Sequence, residues 1–277
     1  MKLILFSKFL KDHDVDALIR RGHDLGTEGY DLCVRPGYAV NPDNVGEMLP
    51  STVRKLAAAG LVVPMVTGNF DLLTPDHPTA EPILAAMDKA DVRLLKLGYF
   101  RFDPQAQDYW AEVGKARRAF DGWQILARKY GVRICYHTHS GFYLGNTCGA
   151  LMLLLQGLDP QLIGAYVDPG HLALEGEPFS MGLSMVRQYL SIVALKDSLR
   201  KRADHGDEGA MTRAFVVAGE GMVAWSEVFA ELVRVGYDGP LSVHCEFEIA
   251  DREAFLTAVR REVAYFRRKR DTALAAK

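Results

Sequence analysis

The stretch that decides the fold is Ala165-Tyr166-Val167-Asp168-Pro169-Gly170-His171. An apolar run stops at a carboxylate, Pro169 and Gly170 turn the chain, and an imidazole follows three residues after the carboxylate. This order is typical of a buried parallel strand whose C-terminal end stops at a site. It predicts Asp168 at the strand end and His171 in the loop just beyond. Asp-Pro-Gly is also ordinary turn chemistry, so the other strands must decide between the two interpretations.

The chain around this stretch alternates short apolar segments with helical patterns. Segments rich in Val, Ile and Leu predict strands at 2–6, 28–34, 61–66, 92–97, 132–136, 164–167, 192–195 and 241–245. Helices are predicted at 14–26, 45–59, 79–89, 105–130, 146–156, 179–190, 225–235 and 251–270. We expect Pro50 to interrupt the second helix, and residues 197–212 to form a long polar loop.

This alternation predicts a parallel sheet, because parallel strands need crossovers that place helices outside the sheet. Eight strand–helix units in 277 residues fit a closed (β/α)8 TIM barrel, whose site forms from the loops after the strands. A doubly wound open sheet is the alternative, but no GxGxxG turn follows any predicted strand. No linker, repeat or shift of composition divides the chain, so we predict one domain over 1–277.

Composition narrows the class of protein. Hydrophobic content of 49% and charged content of 25% are those of a globular protein, and a net charge of −2 offers no basic face for nucleic acid. No apolar run is long enough for a membrane span, and the N-terminal apolar run predicts a strand rather than a signal peptide. Four cysteines without CxxC spacing predict free thiols in the cytoplasm. The oligomeric state stays open, with a homo-oligomer among the outcomes.

Polar side chains gather at the predicted C-terminal ends of the late strands. His137 and His139 share one face of strand five, and His244 and Glu246 share one face of strand eight, because side chains alternate along a strand. The whole set comprises His137, His139, Asp168, His171, Lys196, His244 and Glu246. Burying so many polar groups is costly unless they pair or bind something. Imidazole with carboxylate suits a divalent metal such as Mn, Zn, Co, Mg or Fe.

Several motifs resemble those of the sugar phosphate isomerase/epimerase superfamily, the xylose-isomerase-like TIM barrels. They are Val-Asp-Pro-Gly-His at 167–171, Leu-Lys-Asp at 195–197, Ala-Gly-Glu-Gly at 218–221 and Tyr-Asp-Gly-Pro-Leu-Ser-Val at 237–243. The resemblance covers essentially the whole chain and is clearest from residue 130 onward. It implies a metal between a Glu ending strand five, an Asp ending strand six, a His on strand seven and a Glu on strand eight. It also implies that the two Glu residues shuttle the substrate proton.

The chain departs from this pattern at three of the four metal positions. His137 replaces the Glu of strand five, Ala194 replaces the His of strand seven, and His244 replaces the Glu of strand eight. Glu246 follows two residues later on the same face, and only Asp168 matches outright. The usual pair of carboxylate bases is therefore not present in its usual form.

Two outcomes stay open for the metal. In one, His137, Asp168 and His244 bind it, with Glu246 as a fourth ligand or behind the ligands. In the other, the metal site is weakened or lost, and Lys196 becomes the strongest polar candidate on strand seven, unless it only pairs with Asp197 or Asp168. The catalytic candidates are His137, His139, Lys196 and Glu246. The substrate-binding candidates are His171, which the resemblance matches to a substrate contact, Lys96 and Glu175.

The resemblance implies metal-assisted enolisation of a keto- or aldo-sugar by an isomerase or epimerase, with a small carbohydrate as substrate. A lyase that dehydrates a keto-sugar or an inosose shares the same enolate and is the first alternative. A sugar-binding barrel without chemistry is the second. A DNA-repair endonuclease is disfavoured by the near-neutral charge.

Overall fold

A computed structural model describes residues 1–203 and 207–276, and a closed barrel of parallel strands lies at its centre. The barrel strands are β1 (Leu3–Phe6), β2 (Gly29–Cys33), β3 (Val62–Thr67), β4 (Leu94–Lys96), β5 (Arg133–His137), β6 (Ile163–Val167), β7 (Leu190–Leu195) and β10 (Leu241–Val243). Each strand pairs with the next barrel strand in the chain, and Leu3 opposite Leu241 closes the cylinder. The predicted (β/α)8 TIM barrel is confirmed.

Helices surround the barrel. They are α1 (Val15–Leu25), α2 (Val45–Ala58), α3 (Ala80–Lys89), α4 (Tyr109–Tyr130), α5 (Cys148–Leu155), α6 (Pro169–Glu175), α7 (Phe179–Val186), α8 (Trp225–Arg234) and α9 (Arg252–Ala275). Side chains at Asp14, Asp108 and Asp251 cap three of them by accepting from a backbone N–H three residues on. None of the helices described in this structure combines the length and apolarity that a membrane crossing requires.

The barrel interior is filled by its own small core. Its buried members are Ile4, Met65, Cys135, Tyr166, Ile192 and Ala194. These side chains come from five different strands and all lie fully within the barrel. A barrel interior packed in this way has no open channel. Polar side chains that point inward nearer the C-terminal strand ends therefore lie on top of this core.

Two elements differ from the sequence prediction after β6 and β7. Helix α6 begins directly at Pro169, so His171 lies in a helix rather than in a loop. Residues 197–216, predicted to be mostly loop, form an antiparallel hairpin of β8 (Asp197–Arg202) and β9 (Met211–Val216), with residues 204–206 outside the described chain. The outer part of this hairpin is exposed on both strands, so no alternation of apolar and polar residues marks it in the sequence.

The break expected at Pro50 is wrong. Helix α2 runs without interruption from Val45 to Ala58 with Pro50 inside it. Proline removes one backbone donor, the partner of the carbonyl four residues earlier. That carbonyl belongs to Gly46, an exposed residue in the first turn, so the lost hydrogen bond costs little.

Candidate active site

Asp168 lies at the centre of a buried cluster at the C-terminal ends of the barrel strands. Its Oδ2 is 3.2 Å from His137 Nε2, 3.2 Å from Lys196 Nζ and 3.8 Å from His171 Nε2, but none of these three contacts has hydrogen-bond geometry. The side chains of Asp168, His137 and His171 are fully buried. The four groups come from β5, β6, α6 and the end of β7, which a closed parallel barrel brings together at one face.

Helix α6 is fitted tightly between Asp168 and Lys196. Asp168 caps the helix, since its Oδ1 accepts from the backbone N–H of His171 at 3.1 Å, and Pro169 occupies the favoured first position. A Cβ on Gly170 would lie 2.4 Å from the carbonyl oxygen of Lys196. The side chain of Ser198 donates to the Gly170 carbonyl at 2.8 Å. The capping carboxylate therefore keeps Oδ2 directed at the cluster while Oδ1 holds the helix.

Lys196 connects two carboxylates. Its Nζ is 2.6 Å from Glu246 Oε2 as well as 3.2 Å from Asp168 Oδ2, and it lies 4.6 Å from the centre of the Phe215 ring on β9. Burial by itself lowers the pKa of Lys196, but the charges of Asp168 and Glu246 outweigh burial and raise the pKa above its usual value. Lys196 is therefore a charged ammonium group inside the protein.

Glu246 stands at the rim of the cluster, with 17% of its side chain exposed. Its Oε1 accepts from Lys8 Nζ at 2.5 Å. Lys8 follows β1, the strand that pairs with β10 and closes the barrel. Burial alone raises the pKa of Glu246, but the charges of Lys196 and Lys8 outweigh it and hold the pKa well below its usual range. The carboxylate is therefore ionised and already shared by two ammonium groups.

Four imidazole rings pack against one another around Asp168. The centroid of His137 is 5.8 Å from that of His171 and 5.7 Å from that of His244, and His139 lies 4.1 Å from His171. Burial, and after it the positive charge of nearby lysines, lowers the pKa of His137, His171 and His244 well below its usual value and that of His139 to about 4. All four rings are neutral at pH 7.

Three of these rings are held by a hydroxyl group on one nitrogen. The pairs are Tyr99 Oη with His137 Nδ1 at 2.7 Å, Ser140 Oγ with His171 Nδ1 at 2.8 Å, and Tyr166 Oη with His244 Nε2 at 2.7 Å. The other nitrogen of each ring is buried and finds no hydrogen-bond partner among the residues that the structure describes. Buried polar atoms are normally satisfied, so three unpaired imidazole nitrogens point to a polar ligand.

His139 has a defined tautomer. Its Nδ1 is 3.0 Å from the main-chain carbonyl of Ser140, and a carbonyl can only accept. The proton of the neutral ring therefore lies on Nδ1, and Nε2 carries a lone pair. The ring packs between Tyr99, at 4.6 Å, and Tyr143, also at 4.6 Å.

Two predicted site residues lie away from the centre. Lys96 is buried beside the cluster, with Nζ 4.1 Å from the Tyr99 ring centre, and burial followed by the charge of Arg35 lowers its pKa to about 7. Glu175 is exposed at the end of α6, where it accepts from the Gly141 N–H at 2.8 Å and fixes the loop after β5. The structure does not bring Glu175 into the cluster, and its substrate-binding role stays a prediction without support from this geometry.

Asp197, considered from the sequence as a partner of Lys196, turns away from the cluster. It accepts from the N–H groups of Gly219 at 2.9 Å and Gly221 at 3.2 Å and from Trp225 Nε1 at 3.1 Å. This carboxylate is therefore an anchor for the turn that precedes α8.

Sequence reasoning missed several groups that complete the cluster. They are Lys8, Asp31, Ser140, Tyr166 and Phe215. Ser140 directly follows His139, and Lys8 lies two residues past the end of β1. Both positions could have marked these residues as members of the site. Phe215 carries none, because the sequence around it does not show the hairpin.

The resemblance implies a divalent metal, and the groups of this cluster do not fit one. Lys196 Nζ lies between Asp168 Oδ2 and Glu246 Oε2, so the two carboxylates already share a cation. Ala194, at the position of the expected His on β7, belongs to the barrel core. Over 1–203 and 207–276, no three His, Cys, Asp or Glu side chains are grouped so that they can hold a metal ion.

A cavity of about 830 Å³ opens next to the cluster. The loops after β4 and β5 and the hairpin form its wall, with Phe102, Gly141, Tyr143 and Arg213 among the lining residues. Tyr143 packs on His139, and Arg213 donates to Ser140 Oγ at 3.1 Å. Two side chains of the wall therefore touch residues of the cluster directly.

The family follows from comparison with known proteins. A family model described as xylose isomerase-like TIM barrel matches residues 19–269. The chain belongs to this family. The family membership predicted from the motifs at 167–171 and 195–197 is therefore confirmed.

Curated relatives of the chain include the inosose dehydratase of Lacticaseibacillus casei. It is 28% identical over 141 residues, which are 48% of this chain and 47% of that protein. Inosose dehydratase 2 of Bacillus cereus is 30% identical over 145 residues, 49% of this chain and 47% of that protein. The chain thus matches about half the length of these relatives.

Solved structures of the same fold align over nearly the whole chain. The D-psicose 3-epimerase of Clostridium cellulolyticum H10, solved with D-tagatose, has a TM-score of 0.75 at 16% identity and covers 98% of this chain and 99% of that one. A xylose isomerase-like barrel protein from Mycobacterium smegmatis, in complex with magnesium, has a TM-score of 0.71 at 17% identity, with 99% and 97% covered. At such identities these likenesses show the fold alone.

Proposed function

We propose that the protein is an isomerase or epimerase that enolises a small keto-sugar. The observation that carries the proposal is the set of three unpaired, buried imidazole nitrogens, on His137, His171 and His244, beside the Asp168–Lys196 ion pair. A sugar offers hydroxyl groups that donate to and accept from neutral imidazole. The epimerases among the solved structures and the family itself support a carbohydrate ligand.

The proton step falls to His139 in this proposal. Its Nε2 lone pair takes a proton from the carbon beside the carbonyl, the C–H electrons form the enediolate C=C bond, and the carbonyl π electrons move to oxygen. Protonation of the same carbon from the opposite face, by a second group or by water, gives an epimer. Return of the proton to the neighbouring carbon, with the hydroxyl proton passing to the enolate oxygen, gives an isomer. Glu246 is the weaker candidate, because Lys8 and Lys196 already bind both of its oxygens.

A lyase is the second candidate, and the inosose dehydratase relatives favour it. The same enediolate loses the hydroxide of the next carbon, which leaves as water after taking a proton. The two activities differ in one product, water, and share the removal of the proton beside the carbonyl.

A divalent metal at His137, Asp168, His244 and Glu246 is the competing account of how the enediolate is stabilised. The magnesium complex of a family member supports it, whereas the sharing of both carboxylates by Lys196 opposes it. The cytoplasmic location and a homo-oligomer stay predictions. All four cysteines are free thiols, as expected in a reducing compartment.

Proton exchange in D2O tests the function. The probes are D-psicose, D-tagatose, D-fructose and 2-keto-myo-inositol, each followed by NMR for loss of the proton beside the carbonyl and for new sugar or enone signals. We expect exchange with at least one probe in the wild type and its loss in His139→Gln. His23→Gln on α1 is the matched control and should leave the rate unchanged. No exchange with any probe contradicts the proposal.

A further inference from the structure

The position of Lys196 carries an inference that rests on the proposed function. We propose that the Lys196 ammonium group is the built-in cation of this site and holds the substrate carbonyl oxygen where relatives in the family use a divalent metal. Its placement, the charge around it and its hydrogen-bonding capacity all support this role.

Lys196 is placed directly above the position expected to bind a metal. It follows β7 two residues after Ala194, so their side chains share a face of the strand. Ala194 occupies the position of the expected metal-binding His but lies in the barrel core, where its methyl group binds nothing. The longer side chain of Lys196 reaches above it to Asp168 and Glu246, the two carboxylates of the cluster.

The charge of the cluster is already balanced without a metal. His137 and His244 stand where the resemblance places two Glu residues, and both rings are buried and neutral. Asp168 and Glu246 are the two carboxylates beside Lys196, and Lys196 and Lys8 neutralise them. The third carboxylate of the cluster, Asp31, is bound instead by the hydroxyl groups of Thr67, Tyr166 and Ser242. A divalent ion would therefore enter a site without uncompensated negative charge and within a few ångströms of a buried ammonium group. Such an arrangement repels the ion in a low-dielectric interior.

The Lys196 ammonium group has hydrogen-bonding capacity to spare. An ammonium group has three N–H donors. Glu246 Oε2 accepts from one at 2.6 Å, and Asp168 Oδ2 faces a second as an ion pair at 3.2 Å. The Phe215 ring lies 4.6 Å from Nζ and covers it without accepting a strong hydrogen bond. One donor therefore remains for the carbonyl oxygen of a ketose. The same donor stabilises the negative charge that grows on that oxygen when the carbon beside it loses its proton.

Lys196 is a catalytic residue in this account, and it acts as an electrophile rather than as a nucleophile. A Schiff base needs a neutral amine, whereas two carboxylates keep Lys196 protonated by direct contact. The distinction has a chemical readout, because borohydride traps a Schiff base as a stable adduct and leaves an ion-paired ammonium group unmodified.

The test combines metal binding with exchange. Wild-type protein and Lys196→Met are dialysed against EDTA and titrated with Mn²⁺, with free ion followed by EPR. We expect no Mn²⁺ binding by the wild type and new binding by Lys196→Met, because Asp168 and Glu246 lose their counterion. Lys201→Met on the exposed hairpin is the matched control and should behave like the wild type. Thermal unfolding checks that the variants fold; if Lys196→Met does not, metal analysis and Mn²⁺ titration of the wild type decide alone.

The exchange assay gives the second readout. EDTA should change the wild-type rate in D2O by less than about twofold, and Lys196→Met should lower it by about 10²–10³-fold, as expected for loss of an oxyanion donor. Stoichiometric metal in the wild type whose removal abolishes exchange would overturn the proposal, as would a borohydride adduct on Lys196. Failure of every ketose to exchange overturns the proposed function instead, and the Mn²⁺ titration still decides the role of Lys196.

Discussion

The backbones of Gly170 and Lys196 lie so close together that no side-chain atom fits on Gly170. A Cβ on Gly170 would lie 2.4 Å from the carbonyl oxygen of Lys196. We expect Gly170→Ala to push α6 away from β7, to displace His171 and to cost about 1–3 kcal/mol of unfolding free energy, as overpacking does. Urea denaturation measures this loss of unfolding free energy.

The matched control for Gly170→Ala is Gly46→Ala in α2. Its Cβ meets no atom within 4 Å, so the change should stabilise the protein by about 0.5–1 kcal/mol through helix propensity. Equal effects of the two substitutions would contradict the close fit between α6 and β7.

Tyr99→Phe should separate ring packing from hydrogen bonding at His137. The phenylalanine ring still packs on Lys96 and His139, but His137 Nδ1 loses its 2.7 Å partner. We expect the exchange rate in D2O to fall by about tenfold and stability to fall by about 1 kcal/mol. Tyr189→Phe, which removes a buried hydrogen bond to the Leu158 carbonyl, should cost similar stability and leave exchange intact.

Asp168→Asn and Asp168→Ala should distinguish the two roles of this carboxylate. An asparagine still caps α6 by accepting from the His171 N–H, whereas alanine cannot. Both variants lose the ion pair with Lys196 and should lose proton exchange. We expect the alanine variant to be less stable than the asparagine variant by about 1 kcal/mol, measured by chemical denaturation. Equal stability would show that the cap contributes nothing.

Glu262 on α9 should make stability depend on pH. Burial raises the pKa of this carboxyl group from 4.5 to about 8, against the hydrogen bonds from Cys245 and the Ala218 N–H. The folded state therefore binds the proton more tightly than the unfolded state, and this contribution is full below about pH 4.5 and falls as pH rises through about 8.

Glu262→Gln should remove this dependence of the unfolding free energy on pH. The difference in unfolding free energy between wild type and variant, measured by urea denaturation from pH 5 to pH 9, should move in favour of the variant as pH rises. Glu253→Gln, exposed on the same helix, is the control and should show no such trend. A pH-independent difference for Glu262→Gln contradicts the raised pKa.

The barrel could be predicted because each strand carries its own signal. Val, Ile and Leu cluster in strands buried on both sides, and several of the surrounding helices begin at Asp caps, so local rules agree with the global fold. The misses lie where tertiary contacts decide. Helix α6 exists because Asp168 caps it and Gly170 permits contact with Lys196, and neither relation can be read from composition.

The strand ends identify the members of the cluster, but they do not show how those members connect. The sequence predicts Asp197 or Asp168 as the partner of Lys196. It does not predict Glu246, whose Oε2 lies 2.6 Å from Lys196 Nζ. Pairing across a barrel depends on strand register and side-chain length. Phe215 and Lys8 reach the same cluster from a hairpin and from a 3-10 turn, where no periodic pattern marks an inward side chain.

The closure of the barrel has a consequence for how the chain is made. β1 pairs with β10, and Lys8 meets Glu246 across 238 positions of sequence. During synthesis β1 therefore keeps one edge unpaired until β10 has left the ribosome. An exposed parallel edge invites association with other chains. Premature termination before β10 should thus yield aggregates instead of a partly active enzyme.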